Sequence, residues 1–279
     1  MHEPDDPVER AAGDGAARAA GPSESDTVLA LMSRHRSVRS FTPDPVDDST
    51  VERALRAAQC AATSSWVQAY HLLQVTDPAE RGAIADLAGG QPQITEAGAF
   101  FVVCADERRH RLVAARAKAP HVPCPESFVI ALVDASLFAQ NLCLAFEAQG
   151  LGTCYIGGIR NDLPRLDGIL ELPEGVLPLF GLCVGTPAAD PGTRPRLPVR
   201  AVWSKQRYPQ DDTMLEAIDE HDADASAYYG LRGKPTRNWS GGVLRKYAID
   251  PRPNVGPYYA SKGARLSGED GAAESGGAP

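Results

Sequence analysis

Six cysteines, Cys60, Cys104, Cys124, Cys143, Cys154 and Cys183, are scattered through the 279 residues, and none belongs to a CxxC pair. That spacing excludes a zinc ribbon and a thioredoxin-type redox motif, and no metal-ligand set is expected. Most of them sit in apolar surroundings, where a free Cys behaves as a small hydrophobe, so a reduced, cytoplasmic protein is expected. Basic charge is also in deficit: 28 Lys and Arg stand against 36 Asp and Glu, for a net charge of −8. That balance argues against a nucleic-acid or anionic-membrane surface. A dinucleotide fingerprint is missing, because Gly89-Gly90-Gln91 does not continue into GxGxxG. A nucleotide held in a Rossmann crevice is therefore not expected. Residues 1–25 lack an apolar leader segment and read as a disordered tail. The Gly/Ala/Ser-rich stretch 261–279 reads the same way. No internal repeat is visible.

What is present suffices for one sizeable core, since 43% of residues are hydrophobic. Asp26 is a candidate N-cap for a helix through Val28, Leu29, Leu31 and Met32, and Asp47, Asp48 or Ser49 for a helix carrying Val51, Ala54, Leu55 and Ala58. Strands are predicted over Tyr70–Val75, Ala99–Cys104, a short segment into Tyr155-Ile156, and Leu177–Val184, with helices near Arg81–Leu87 and Asn161–Leu170. Ser127–Gln149 is the longest helical pattern, and it is apolar nearly all round, which suits a core or a subunit interface. Asp134, Gln140, Asn141 and Glu147 interrupt it too often for a membrane span, and Gly150 marks its end. A polar helix is expected over Asp211–Tyr229, and the aromatic, basic region Arg232–Tyr259 reads as an excursion from the core. Helices alternate with buried strands, so the class is α/β or α+β.

Three segments suggest an anionic ligand. Arg34-His35-Arg36-Ser37-Val38-Arg39 concentrates three guanidiniums, an imidazole and a hydroxyl in an acidic chain. Guanidinium forks match phosphate oxygens and keep their charge. Arg194-Pro195-Arg196-Leu197-Pro198 places two more arginines on a proline-stiffened, extended segment. Gly157-Gly158, after an apolar strand, permits close backbone approach to a flat ligand. Each segment alone reads more simply as a solvated helix end, a rigid loop or a turn. His71, His110, His121 and His221 lack ligand spacing and read as surface or structural, and Glu52/Arg56 and Asp77/Arg81 read as i,i+4 helix pairs.

In this order the segments RHRSVRSFT (34–42), TSSWVQ (63–68), GGQ (89–91), FVVCAD (101–106), VDASLFAQN (133–141), GLGTCYIGGIRN (150–161), LPLFGLCVGTPA (177–188), RPRLP (194–198) and YYGLRGKPTRNW (228–239) resemble the nitroreductase-like flavoprotein family, nearest its NADPH-dependent, oxygen-insensitive group. The resemblance spans about residues 27–250. It implies an α+β fold with a central mixed, mainly antiparallel sheet surrounded by helices, and a homodimer. A core over 26–210 and a C-terminal excursion over 211–260 are expected between the two tails.

It further implies FMN as cofactor, held by His35, Arg36, Ser37 and Arg39 and by Gln91. Thr63, Ser64 and Ser65 would approach the flavin from the partner subunit. Tyr155, Ile156, Gly157 and Gly158 would line its ring, and Arg194 and Arg196 would complete a phosphate clamp. Thr63 stands where the family usually has Ser, and Arg194 where it usually has Lys, which keeps the charge but changes the reach. Arg232 and Arg237, on the C-terminal loop, would bind NADPH. The implied activity is hydride transfer from NADPH through the flavin to nitroaromatics, quinones or free flavin by a ping-pong mechanism, with no catalytic side chain required. A flavin-storage protein, or a flavoenzyme of the same fold with other chemistry, is the alternative.

Overall fold

The structure, a computed structural model, describes residues 24–234 and 236–266. The predicted tail over 1–25 lies almost wholly outside them. Two compact units divide between Arg34 and His35. In the first, helix α1 spans Glu24–Ser33, so Asp26 stands inside the helix and is not its cap.

The second unit is built on one sheet whose strands are β1 (Tyr70–Gln74), β2 (Ala99–Asp106), β3 (Gly152–Ile156) and β4 (Val176–Gly185), in the order β1-β2-β4-β3. Every pairing between them is antiparallel. A parallel bridge, Ser37 to Thr153, lies beside β3 and makes the edge mixed. All eight residues of β2 are buried, as expected for a strand with a continuous apolar sequence. Where β2 meets β4 the register shifts, with Val103 opposite Phe180 but Cys104 opposite Pro178. Proline cannot donate to a ladder, so a bulge belongs there. The carbonyls around the bulge serve side chains instead: Pro178 O accepts from Tyr259 Oη at 2.7 Å, and Leu179 O accepts from Arg160.

Helices α2 (Asp48–Ala58), α3 (Pro78–Leu87), α4 (Gln93–Glu96), α5 (Arg108–Ala117), α6 (Pro125–Ala148) and α7 (Leu163–Leu170) surround the sheet. Asp47 caps α2 by accepting from Thr50 N at 2.8 Å. Hydroxyl and amide donors hold its carboxyl well below the usual range. Asp77 and Arg81 do not pair. Asp77 caps α3 through Ala79 N and Glu80 N, while the half-buried Arg81 guanidinium donates to the carbonyls of Ile94 and Ala97. A cap carboxylate already engaged by two orphan N–H groups leaves i,i+4 pairing little advantage. By length and composition α6 could cross a membrane. It packs instead on the sheet and on α2, burying Ala131, Asp134, Ala135, Phe138, Ala139, Leu142, Cys143 and Phe146. It ends at Gly150, whose φ of +84° is the left-handed stop.

After β4 come α8 (Asp211–Gly230), α9 (Trp239–Tyr247) and α10 (Val255–Ser261). The region through Tyr259 does not stay away from the core: α10 returns to it, and Tyr258 and Tyr259 join the buried cluster. The expected tail does not begin at Ser261 either. Lys262 Nζ pairs with Asp167 at 3.0 Å and donates to Leu172 O, and Ala264 is buried. The adjacent aromatics Tyr258 and Tyr259 carried this signal, obscured in sequence by the glycines that follow.

Candidate functional site

Residues 35–42 are extended, not helical. Val38 N donates to Thr153 O at 2.9 Å, Phe41 bridges Pro187, and Thr42 N donates to Thr186 O at 2.9 Å. The segment therefore runs along the edge of β3 and the chain leaving β4. Val38 is buried there, so its neighbours carry the polar side chains outward.

Each of those side chains has a defined place. His35 Nδ1 donates to Glu147 Oε1 at 2.7 Å, beside Thr153 and Cys143. Arg36 Nε donates to Asp190 Oδ1 at 2.6 Å. The Gly192 N–H and Arg36 hold the Asp190 carboxyl below its ordinary range. Arg39 donates to Ser37 O at 3.4 Å. Burial pushes the Cys154 thiol up, and the positive charges of Arg39 and Arg194 pull it down. Arg39 thus stands on the segment that bridges β3 at Ser37. Arg194 and Arg196 also line a cavity of about 800 Å³ together with His221, Tyr228, Tyr229, Arg237 and Trp239.

Tyr155 packs edge-on against Phe180, centroids 5.2 Å apart, and with Gly157, Ser136, Gln140 and Arg160 lines a smaller cavity of about 340 Å³. Burial raises the Tyr155 phenol well above its usual range. Ile156 is buried in the sheet. Gly158 needs its missing side chain for the protein's own packing: a Cβ there would lie 2.3 Å from Gln91 Nε2 and 2.6 Å from Ala88 O. Gln91 is held in that turn, donating to Ala88 O at 2.9 Å and accepting from Gln93 at 2.8 Å.

The hydroxyl loop at Thr63, Ser64 and Ser65 is tightly constrained. Ser65, Trp66 and Gln68 all have positive φ, of 47°, 59° and 52°. Such conformations in non-glycine residues persist only where surroundings over-determine them. Here the fully buried Asp134 carboxylate accepts from Ser64 N at 2.9 Å and from Ala69 N at 3.0 Å. From α5, Arg109 donates to the carbonyls of Gln68 and Tyr70, and His110 donates to Val67 O at 2.9 Å. Trp66 projects 82% exposed from this clamp.

Arg232 and Arg237 do not close on one cavity. Arg237 lies 4.7 Å over the Tyr229 ring and lines the large cavity. Arg232 lies 3.7 Å over Tyr228 and donates to Pro191 O at 3.2 Å. His221, read from the sequence as surface or structural, is buried against Trp239.

Sequence reasoning missed Glu147, Thr153, Asp134, Asp190 and Arg160 as members of this region. The available signal was Asp134 and Glu147 set among apolar neighbours on α6, a pattern that buried polar groups with dedicated partners produce. His35, Cys143 and Glu147 also bring donor atoms within 4.8 Å of one another, which is metal-ligand spacing.

The model of the nitroreductase family matches residues 32–186, and that family's C-terminal domain model matches residues 194–267. The chain belongs to the nitroreductase family. Among its relatives is the FMN reductase (NADPH) of Bacillus subtilis, 41% identical over 246 residues that cover 86% of this chain and 98% of that protein. The oxygen-insensitive NADPH nitroreductase of Salmonella typhimurium is 38% identical, covering 84% and 97%. The solved structure of NfrA1 nitroreductase from B. subtilis aligns with a TM-score of 0.83 at 39% identity, covering 86% of this chain and all of that one. The nitroreductase fold implied by the resemblance is the one observed.

Proposed function

We propose that this chain is an FMN-dependent oxidoreductase that takes hydride from NADPH and passes it to nitroaromatics, quinones or free flavin, by a ping-pong mechanism, as a cytoplasmic C₂ homodimer. The observation that carries the reading is the basic segment bonded along β3 through Ser37 and Val38, which sets Arg36 and Arg39 beside the strand that leads into Tyr155-Ile156-Gly157-Gly158. Two guanidiniums set against one buried strand suit a phosphate monoester, and the nearby cavity at Tyr155 and Gly157 suits the flat ring it carries. The residues present fit FMN. Relatives named FMN reductase (NADPH) and NADPH-flavin oxidoreductase, the latter from Vibrio harveyi, support the same assignment.

When bound, FMN supplies reversible two-electron redox chemistry at its N5. The chain supplies charge and shape. Arg39, Arg194 and Arg196 would balance the phosphate, joined by Arg36 where it turns from Asp190 to the ligand. His35 and Ser37 contact the ligand from the same segment. Tyr155, Ile156, Gly157 and Gly158 form the wall, with Gln91 holding the turn behind Gly158. Arg237 and Arg232 receive NADPH from the C-terminal region. Dimerisation is supported by α6, whose outer face leaves Val129, Leu132, Val133 and Leu137 exposed beside the clamped loop at Thr63, Ser64 and Ser65.

Anaerobic addition of NADPH to the FMN-loaded protein tests the reading. Bleaching of the yellow absorbance, reversed by a nitroaromatic, is expected. Colour that persists through many minutes of excess NADPH would make this a flavin-binding protein without the activity.

A further inference from the structure

The carboxylate of Glu147 has a place in the architecture that the activity described so far does not use. It stands on the last turn of α6, and its side chain is only 10% exposed. Its Oε1 accepts from His35 Nδ1 at 2.7 Å and from Thr153 Oγ1 at 2.9 Å, with Cys143 Sγ at 3.5 Å. Thr153 Oγ1 lies in turn 2.9 Å from Cys143 Sγ. An ionised carboxylate only accepts, so His35 Nδ1 is the donor in its bond to Glu147. Thr153 donates its hydroxyl to Glu147, and the Cys143 S–H faces both Thr153 Oγ1 and Glu147 Oε1. Burial pushes the Cys143 thiol up to about 12, so it remains a donor throughout. All four groups are tied to rigid elements: Cys143 and Glu147 to one face of α6, Thr153 to β3, and His35 to the segment that bridges β3 at Ser37.

We infer that Glu147, itself oriented by Thr153, is a positioning residue that holds the His35 ring with Nδ1–H turned into the protein and Nε2 left for the bound flavin nucleotide. A histidine's tautomer is set by the hydrogen bond that its other nitrogen makes. Here that bond is made before any ligand arrives. The three metal-type donors are therefore a hydrogen-bond relay ending on His35. The 2.7 Å His35–Glu147 contact is of hydrogen-bond length, shorter than two ligands around one cation would allow. The inference rests on the proposed flavin site, and the test separates the two.

Two measurements together decide it. Wild-type protein labelled with ¹⁵N-histidine is examined by long-range ¹H–¹⁵N spectra at about pH 9, where imidazoles are neutral. His35, assigned among the six histidines by comparison with His35→Ala, is expected as the Nδ1–H tautomer. FMN affinity is then titrated for wild type, Glu147→Gln, His35→Ala and the double variant. Glu147→Gln is expected to raise the FMN Kd about tenfold in the native background and less than about twofold in the His35→Ala background, because contacting groups are non-additive. Thr153→Val, which leaves the His35–Glu147 bond but removes the hydroxyl that orients it, is expected to fall between. An Nε2–H tautomer in a wild type that binds FMN would overturn the inference and leave the functional reading standing. Equal losses in both backgrounds would do the same by assigning Glu147 a purely structural role. A wild type with no FMN affinity would overturn both.

Discussion

The edge of β3 and the α8–α9 region both gather cations, and they hold them in opposite ways. At β3 the segment itself is fixed by hydrogen bonds: His35 to Glu147, Arg36 to Asp190, Thr153 to the Glu147 carboxylate, and the extended backbone to β3 through Val38 and Thr153. In the C-terminal region the guanidiniums of Arg232 and Arg237 rest on the rings of Tyr228 and Tyr229. Ring faces hold a cation by roughly 0.5–1 kcal/mol at exposed sites and impose little direction. The first arrangement is preorganised for a ligand that stays. The second suits one that arrives, reacts and leaves, and the aromatic-walled cavity of about 800 Å³ that Arg237 shares with Arg194 and Arg196 has room for a nucleotide beside the proposed clamp. Asp222 gives that region its definition by accepting from Ser240 N and Asn238 Nδ2, which fastens α9 onto α8 while leaving the arginine loop outside.

The largest effect should come from the proposed phosphate clamp. Arg39→Ala or Arg196→Ala is expected to give a folded protein that loses its FMN on dialysis, since each charge-assisted hydrogen bond contributes roughly 1.5–3 kcal/mol. Retention of stoichiometric flavin by both variants would break the comparison at its stronger end. A double change of Val133 and Leu137 to Asp on the exposed face of α6 should next convert a dimer to monomer in light scattering. A monomeric wild type carrying FMN would contradict the proposed assembly. Asp134→Asn should cost about 1–3 kcal/mol in denaturant unfolding, because a buried acceptor of two backbone N–H groups is replaced by a group with one acceptor and two donors. If stability is unchanged, the positive-φ loop is not held by Asp134. The smallest effect concerns reactivity. With its thiol raised to about 12 and its side chain buried, Cys143 should resist alkylation from pH 6 to 9, while exposed Cys60 is modified. Peptide mapping after iodoacetamide treatment reads both.

Much of the fold was legible because its signals are local. The apolar run Ala99–Cys104 becomes the fully buried β2, and the long apolar pattern from Ser127 becomes α6, stopped by Gly150 as read. Helix α5 was not legible, since none of its residues is buried and its Arg109 and His110 act on a loop far back in sequence. The basic run illustrates the same limit: its composition pointed to an anion, but its extended shape comes from bridges to Thr153 and Pro187, which no local pattern encodes. Asp134 and Glu147 were visible as polar interruptions of α6 and were useful only for arguing against a membrane span. What they do depends on partners at Ser64, Ala69, His35 and Thr153, and these meet them only in three dimensions.

A crossed measurement tests the division between a resident and a visiting ligand most directly. The KM for NADPH and the Kd for FMN are determined side by side for Arg39→Ala, assayed with excess FMN, and for Arg237→Ala. Arg237→Ala is expected to raise the KM for NADPH about tenfold, equivalent to about 1.4 kcal/mol of lost binding, with FMN affinity unchanged. Arg232→Ala should follow it with a smaller rise, its guanidinium being already engaged by Tyr228 and Pro191. Arg39→Ala should weaken FMN at least as strongly and leave the KM for NADPH within about twofold once flavin is saturating. If each variant weakens both ligands to the same extent, the two regions form one undivided site and the account is wrong.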